Sequence, residues 1–280
     1  MVSSEQRRKQ LAREKYLRQQ ERRAARRRRA RLRNIGIALA AVLVLGAGAA
    51  YAASGGLGGD EKKDSSRDKA AGDRPSPSKA SDPCDKPAEG KPNGKKWDKE
   101  PALDIDESAT YAMTLKTTCG DIGIDMDASK APHTVNSFRF LAGEKFFEHT
   151  ACHRLVDGGI HVLQCGDPLA TGKGGPGYTL PDENLKDPRV KGGTYPAGTV
   201  AMANRYDAKT KKGRDTGGSQ FFLVFEDTEL PPDFTPFGKI TEGMDVLKKI
   251  AKAGSTPDPQ TGNTRPNATV VIERATVRKS

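Results

Sequence analysis

Histidine and tryptophan are scarce in this chain, with four His and one Trp among 280 residues. His133, His149, His153 and His161 show no spacing that would gather a metal ion. None of them can be set with a serine and an aspartate as a nucleophilic triad. Gly172-Lys173 lies in a Gly-rich loop that lacks the spacing of a phosphate-binding loop. Acidic residues are nearly missing from one end only. Residues 1–34 carry fourteen Lys/Arg against three Asp/Glu, while the rest of the chain carries 33 of each sign. The net charge of +11 therefore belongs to a tail. A basic face for nucleic acid has no support outside that tail, and no nucleic-acid partner is expected.

What is present divides the chain into four parts. After the basic tail, residues 35–53 form an uncharged run of nineteen residues. At about 1.5 Å per helical residue such a run just crosses a hydrocarbon core of about 30 Å. The Arg cluster before it puts the N-terminus in the cytoplasm and everything after it outside. A retained single-pass anchor is the expectation, and secretion after cleavage near Ala52 is the alternative. Residues 54–107 mix charges with prolines and glycines and read as a flexible linker unable to bury enough apolar surface to order itself. Trp97 is expected to dock this segment onto the domain that follows, residues 108–280.

Within that domain, Tyr111, Met113 and Leu115 alternate with small or polar residues, as do Ile122, Ile124 and Met126. The turn Thr118–Asp121 between them predicts a β-hairpin. Ser129 is expected to cap a helix starting near Pro132 and stopping at Gly143. Further strands are predicted over 198–203, 219–225 and 269–277, with a helix from Glu242 to Ala253. Many short strands with only two helices argue for a closed antiparallel barrel rather than alternating βαβ units.

The stretch Cys152–Tyr178 reads as a hairpin followed by a Gly-rich loop. Centred between Gly158 and Gly159, the hairpin sets His153 opposite Gln164 and Cys152 opposite Cys165. A Cys152–Cys165 disulfide follows, leaving Cys84 and Cys119 as a second pair; four free buried thiols are the alternative. Arg154 and Gln164 interrupt otherwise buried strands, and polar groups in such places need partners or a task.

Six motifs in order carry a family resemblance. They are His153-Arg154, Gln164 with Gly166-Asp167, Gly174 to Tyr178, Met202-Ala203-Asn204, Gly218 to Phe222, and Phe237 to Ile240. Together the chain from about Ala109 to Val277 resembles the cyclophilins, which are peptidyl-prolyl cis-trans isomerases. The resemblance implies an eight-stranded closed barrel capped by two helices. It implies that Arg154 is the catalytic residue, that Gln164 orients it, and that Asn204 and Gln220 hold the substrate backbone. Phe222 would floor the proline pocket, joined by Val162 and Leu230, with His153 and Ala203 flanking the groove. Phe234 stands where the family has a histidine on the far wall. His161 stands where an aromatic is expected, and the hairpin is two residues longer than usual. In the groove His161 would change charge within the physiological range, so activity is expected to fall at lower pH.

The resemblance implies no cofactor and no metal. The expected partners are proline-containing segments of unfolded or flexible exported proteins, and the domain is expected to be monomeric. A peptide-binding chaperone or scaffold that keeps the groove without catalysis is the reading from another class.

Overall fold

The structure, a computed structural model, describes residues 82–190 and 192–280. The basic tail, the apolar run 35–53 and linker residues 54–81 lie outside the described residues. No helix among the described residues is long and apolar enough to cross a membrane.

Strands β1 (Thr110–Thr117) and β2 (Gly120–Asp127) form the predicted hairpin, in register from Thr110↔Asp127 to Thr117↔Gly120. Their alternation buries Tyr111, Met113 and Leu115 together with Ile122, Ile124 and Met126. Helix α1 (Pro132–Gly143) follows, with proline in its first turn, where the missing N–H has no intrahelical partner in any case. Ser129 does not cap it, because its Oγ donates to Asp127 Oδ1 instead. The first-turn donors of α1 are met from a distance. The Glu183 carboxylate accepts the His133 and Thr134 N–H groups at 3.0 and 2.9 Å and the Thr134 hydroxyl at 2.7 Å. A negative group at that end also suits the helix dipole.

The chain then runs through β3 (Thr150–Ala151), β4 (Arg154–Asp157), β5 (His161–Cys165), β6 (Thr194–Tyr195), β7 (Thr199–Met202), β8 (Phe221–Val224), β9 (Thr228–Glu229) and β10 (Pro236–Glu242). Helix α2 (Met244–Ala253), the ribbon of β11 (Ser255–Pro257) and β12 (Thr264–Pro266), and β13 (Val271–Lys279) complete it. Nine strands form one strongly curled antiparallel sheet in the order β3-β13-β1-β2-β10-β7-β8-β5-β4. The closed eight-stranded barrel expected from the sequence is thus replaced by a nine-stranded half-barrel whose end strands are unpaired with each other. One end strand, β3, is only two residues long. The outer edge of β4 is met by the β11–β12 ribbon, where the Thr264 hydroxyl donates to the Leu155 carbonyl. A covered edge has no need of a ladder partner.

The centre of this sheet is buried on both faces. Leu155, Leu163, Leu223, Val200 and Phe221 point into the main core, where Phe138 of α1 packs 5.4 Å from Phe221 and 4.7 Å from Phe237. Their neighbours Val162, Ala201, Phe222 and Val224 point the other way, into a smaller cluster with Val190 and Tyr195. Because side chains alternate along each strand, this second face is a separate platform.

Residues 82–107, counted with the linker in the sequence, form no helix or strand and lie across the domain. A Cys84–Cys119 disulfide ties one end to the β1–β2 turn, and the Asp85 N–H donates to the Thr118 carbonyl. Trp97 sits 5.1 Å from the Phe140 ring and 6.0 Å from Phe146, and its N–H donates to the Pro176 carbonyl at 2.8 Å. The approach requires glycine at 177 (φ +99°), where a Cβ would come within 2.5 Å of the Trp97 carbonyl oxygen.

The hairpin β4–β5 departs from its expected register by one residue. Arg154, not His153, lies opposite Gln164, and a three-residue turn spans Gly158 to Ile160. A slip of one residue exchanges the faces of a strand, so the difference decides which side chain reaches the platform. The Cys152–Cys165 disulfide forms all the same, because Cys152 has already left the β4–β5 ladder and its N–H donates to Val270. His153 turns inward and is 6 % exposed, with neither ring nitrogen hydrogen-bonded. Burial pulls its pKa below the ordinary value; the Asp167 carboxylate opposes this and the Arg154 charge adds to it.

Two outcomes follow. Replacing Cys84 and Cys119 by alanine releases a loop of 35 residues. Denaturant unfolding should then show a loss of about 2–4 kcal/mol, and an unchanged midpoint would mean that the segment docks without its covalent tie. His153 binds a proton more weakly folded than unfolded. Its contribution to stability is therefore complete above its unfolded value of 6.5 and is lost as pH falls below it. Between pH ~7 and ~5 the wild-type midpoint should drop more than that of His153→Phe; equal slopes would refute this.

Candidate active site

One row of the curled sheet assembles the residues singled out by sequence. Arg154 of β4 pairs with Gln164 of β5, Gln164 with Phe222 of β8, and Phe222 with Ala201 of β7. A guanidinium, an amide, an aromatic ring and a methyl thus stand side by side on the second face. The sequence motifs lie far apart in the chain; the antiparallel register brings them together.

The polar half of the row is a directed relay. Gln220 Nε2 donates to the Gly174 carbonyl at 2.8 Å. Its Oε1 is thereby turned to accept Gln164 Nε2 at 2.9 Å. Gln164 Oε1 in turn accepts Arg154 Nη1 at 3.3 Å. A carbonyl at one end and a guanidinium at the other, each with a single hydrogen-bonding role, leave only this orientation for both amides. Among the described residues no carboxylate pairs with Arg154. Burial of this half-exposed group pulls its pKa below the ordinary value, but a guanidinium stays protonated throughout the physiological range. Among the described residues its other N–H groups make no hydrogen bond to the protein.

The apolar half is the floor. Phe222, 5 % exposed, meets Phe234 edge-on at 5.4 Å and Tyr195 at 6.2 Å. Val162, Ala201 and Val224 are buried beside it, while Ala203, Leu230 and Phe234 are half-buried at the rim. Tyr195 holds that rim in place. Its hydroxyl donates to the Phe234 carbonyl at 2.8 Å and accepts the Phe234 N–H at 3.2 Å. Burial pushes this phenol up to about 12, so it remains a donor. Tyr195, together with Ile160 and Val156 at the edge of the cluster, escaped the sequence reading. Ile160 and Val156 could have been found from strand alternation once the register was right.

Two expected groove residues lie elsewhere, and a third is engaged by the protein. His161 is placed on the opposite face from Val162 and Gln164. Its Nδ1 lies 3.1 Å from Asp157 Oδ1 and its ring packs edge-on against Phe225. The structure therefore does not bring His161 to the groove for the expected stacking on proline or the pH dependence that rested on it, because alternation along β5 turns the imidazole away. His153 is likewise under the Gly-rich loop, not at the flank of the groove. Asn204 stays at the rim with its side chain committed: Nδ2 donates to the Asp233 carbonyl, and Oδ1 accepts the Tyr206 N–H.

Two anchors were not assigned by sequence. Asp167, wholly buried, accepts the N–H groups of Leu169, Thr171, Gly172 and Lys173 and so shapes the loop that carries Gly174. Arg214 bridges Asp182 and Asp233 and lies 3.4 Å over the Tyr206 ring, fastening the loop beside Asn204. Buried carboxylates and multi-donor cations of this kind are visible in sequence only as polar loop residues.

Comparison with known proteins bears on this arrangement. Residues 112–277 match the family described as cyclophilin type peptidyl-prolyl cis-trans isomerase/CLD. The chain is 45 % identical over 157 residues to "Probable peptidyl-prolyl cis-trans isomerase B" of Mycobacterium leprae (strain TN), covering 53 % of this chain and 51 % of that protein. To the protein of the same description in Mycobacterium tuberculosis (strain CDC 1551 / Oshkosh) it is 40 % identical over 173 residues, covering 59 % and 54 %. The match thus spans about half the length of these two relatives. With "Peptidyl-prolyl cis-trans isomerase" of Helicobacter pylori (strain ATCC 700392 / 26695) it shares 41 % identity over 144 residues, which cover 50 % of this chain and 80 % of that one. A family match running from β1 to β13 and a relative aligned over four-fifths of its length agree, and the chain belongs to the cyclophilin-type peptidyl-prolyl cis-trans isomerase family.

Proposed function

We propose that the domain catalyses cis-trans isomerisation of X–Pro bonds in exported, unfolded or flexible polypeptides, with Arg154 as its electrostatic catalyst. The barrier to this rotation, about 20 kcal/mol, arises from conjugation of the nitrogen lone pair with the carbonyl. A donor aimed at the prolyl nitrogen takes up the lone pair in the twisted state and so stabilises that state more than either planar form. The observation that carries the reading is a half-buried guanidinium with no carboxylate partner, fixed by an amide beside an apolar floor. A salt-bridged arginine would have its donors spent. Phe222 and its neighbours offer the proline ring a dry seat, and a dry site strengthens the field of the guanidinium. No covalent step is needed.

The same reading sets the domain on the outer side of a membrane, tethered by residues 35–53. It is supported by the Arg cluster before that run and by the two disulfides, which persist in oxidising compartments.

Arg154→Ala should lower kcat/KM in an NMR-exchange or protease-coupled assay by tenfold or more, about 1.4 kcal/mol. Retained activity would remove Arg154 from the mechanism, and absence of activity in the unaltered chain, with peptide binding intact, would favour the chaperone reading. Gln220→Leu breaks the relay at its middle without touching the proline floor. Losing one or two net hydrogen bonds of roughly 0.5–1.5 kcal/mol each should reduce kcat by about tenfold. An unchanged kcat would show that Gln164 orients Arg154 unaided.

A further inference from the structure

The loop that carries Gly174 is held unevenly. Its first half is gripped by Asp167, whose carboxylate accepts the N–H groups of Leu169, Thr171, Gly172 and Lys173. That grip ends at Lys173. The chain is fixed again at Tyr178, whose hydroxyl lies 2.7 Å from the buried Ser137 Oγ. Between these points run Gly174, Gly175, Pro176 and Gly177, and three glycines in four residues leave the stretch little stiffness of its own. Yet the Gly174 carbonyl has to stay in place, because it turns Gln220 and, through it, Gln164 and Arg154.

Among the described residues, positions 174–177 make two hydrogen bonds to the rest of the protein. One is the bond from Gln220 itself. The other comes from outside the family match at 112–277, where the Trp97 N–H donates to the Pro176 carbonyl at 2.8 Å. Pro176 is thereby set between Trp97 and Gly218, where a Cβ would lie 3.3 Å from Pro176 Cδ. Trp97 is held in turn by its indole, which packs against Phe140 of α1 and the wholly buried Phe146. The remainder of the segment 82–107 bonds to other parts of the domain. Asp85 is held at the β1–β2 turn, Asn93 and Lys95 at Glu144, and Ala102 and Asp104 by Asn136 and Arg139 of α1.

We infer that Trp97 is a positioning residue for isomerisation: it sets the Gly174 carbonyl and, through the two amides, the direction of the Arg154 guanidinium. The inference rests on the proposed isomerase function and adds to it a residue that the matched region does not contain. The Trp97 ring packs with the main core and not with the platform cluster, so it leaves the proline seat untouched. Without it the Gly174 carbonyl loosens, Gln220 turns more freely, and Arg154 is aimed correctly for less of the time. The loss falls on the rotation step, not on binding.

The test uses the full chain and a short Ala-Pro peptide, with exchange rates read by NMR. Trp97→Ala should lower kcat by about three- to tenfold, the weight of about one net hydrogen bond, with KM within about twofold of the unaltered chain. Trp97→Phe keeps a ring against Phe140 and should recover most of the loss. In a Gln220→Leu background, Trp97→Ala should change kcat by less than about twofold, because both act along one line. Arg139→Met frees the segment at Asp104 instead and should leave kcat as it is, which separates positioning from a general loss of stability. Should Trp97→Ala fail to fold, Phe140→Ala takes its place, since it reaches the loop through Trp97. An unchanged kcat, a rise in KM alone, a fall that multiplies fully with that of Gln220→Leu, or an equal fall in Arg139→Met overturns the inference. If the unaltered chain isomerises nothing, the proposed function fails instead, and the side-chain amide signals of Gln164 and Gln220 decide the positioning. Trp97→Ala should shift both and Arg139→Met neither; unmoved signals in Trp97→Ala overturn it.

Discussion

A guanidinium can stay half-buried without a counter-ion only if its geometry is fixed by neutral groups and its remaining donors are left for a visitor. Arg154 meets this condition through two amides whose direction is settled at the far end of the row, at the carbonyl of Gly174. That carbonyl is where it is because Asp167 gathers four backbone N–H groups and because Trp97 holds Pro176 from outside. The site is therefore shaped by a loop and an N-terminal segment as much as by its strands.

The sheet supports this with an economy of side chains. Strands β5, β7 and β8 are short, and their buried apolar residues serve either the main core or the platform. Alternation keeps the two from mixing. Leu163 and Phe221 hold the strands against α1, while Val162 and Phe222, one position along, floor the groove. A register slip in this part of the sheet would exchange packing and function together.

The legibility of the sequence followed the same logic. The hairpin β1–β2, both helices and the strands at 199–202 and 221–224 were readable from periodicity and from Gly and Pro punctuation. Arg154, Gln164, Gln220 and Phe222 were readable as an ordered set of motifs, and the structure brings Arg154, Gln164 and Phe222 into one row with Gln220 hydrogen-bonded to Gln164. The turn between Asp157 and His161 was misjudged by one residue, since Gly158-Gly159 invites a two-residue turn and nothing local reveals the three-residue one. That error set His153 opposite Gln164, whereas the groove position of His161 came from the resemblance alone and ran against the alternation along β5. The missed cap of α1 has a similar cause: Ser129 has the right chemistry nearby, whereas Glu183 reaches the helix only through tertiary structure. The half-barrel differs from the expected closed barrel because the β11–β12 ribbon, invisible as periodicity, covers the edge of β4.

The Cys84–Cys119 bond also determines how the domain answers to mechanical force. Tension arriving along the chain from upstream reaches Cys84 and crosses the sulfur bridge directly to the β1–β2 turn. Residues 85–118 lie within the covalent loop and are shielded from the load, Lys96 and Trp97 among them. A pull on the chain before Cys84 would thus be borne by the turn at Cys119, while the segment that steadies the Gly-rich loop stays slack.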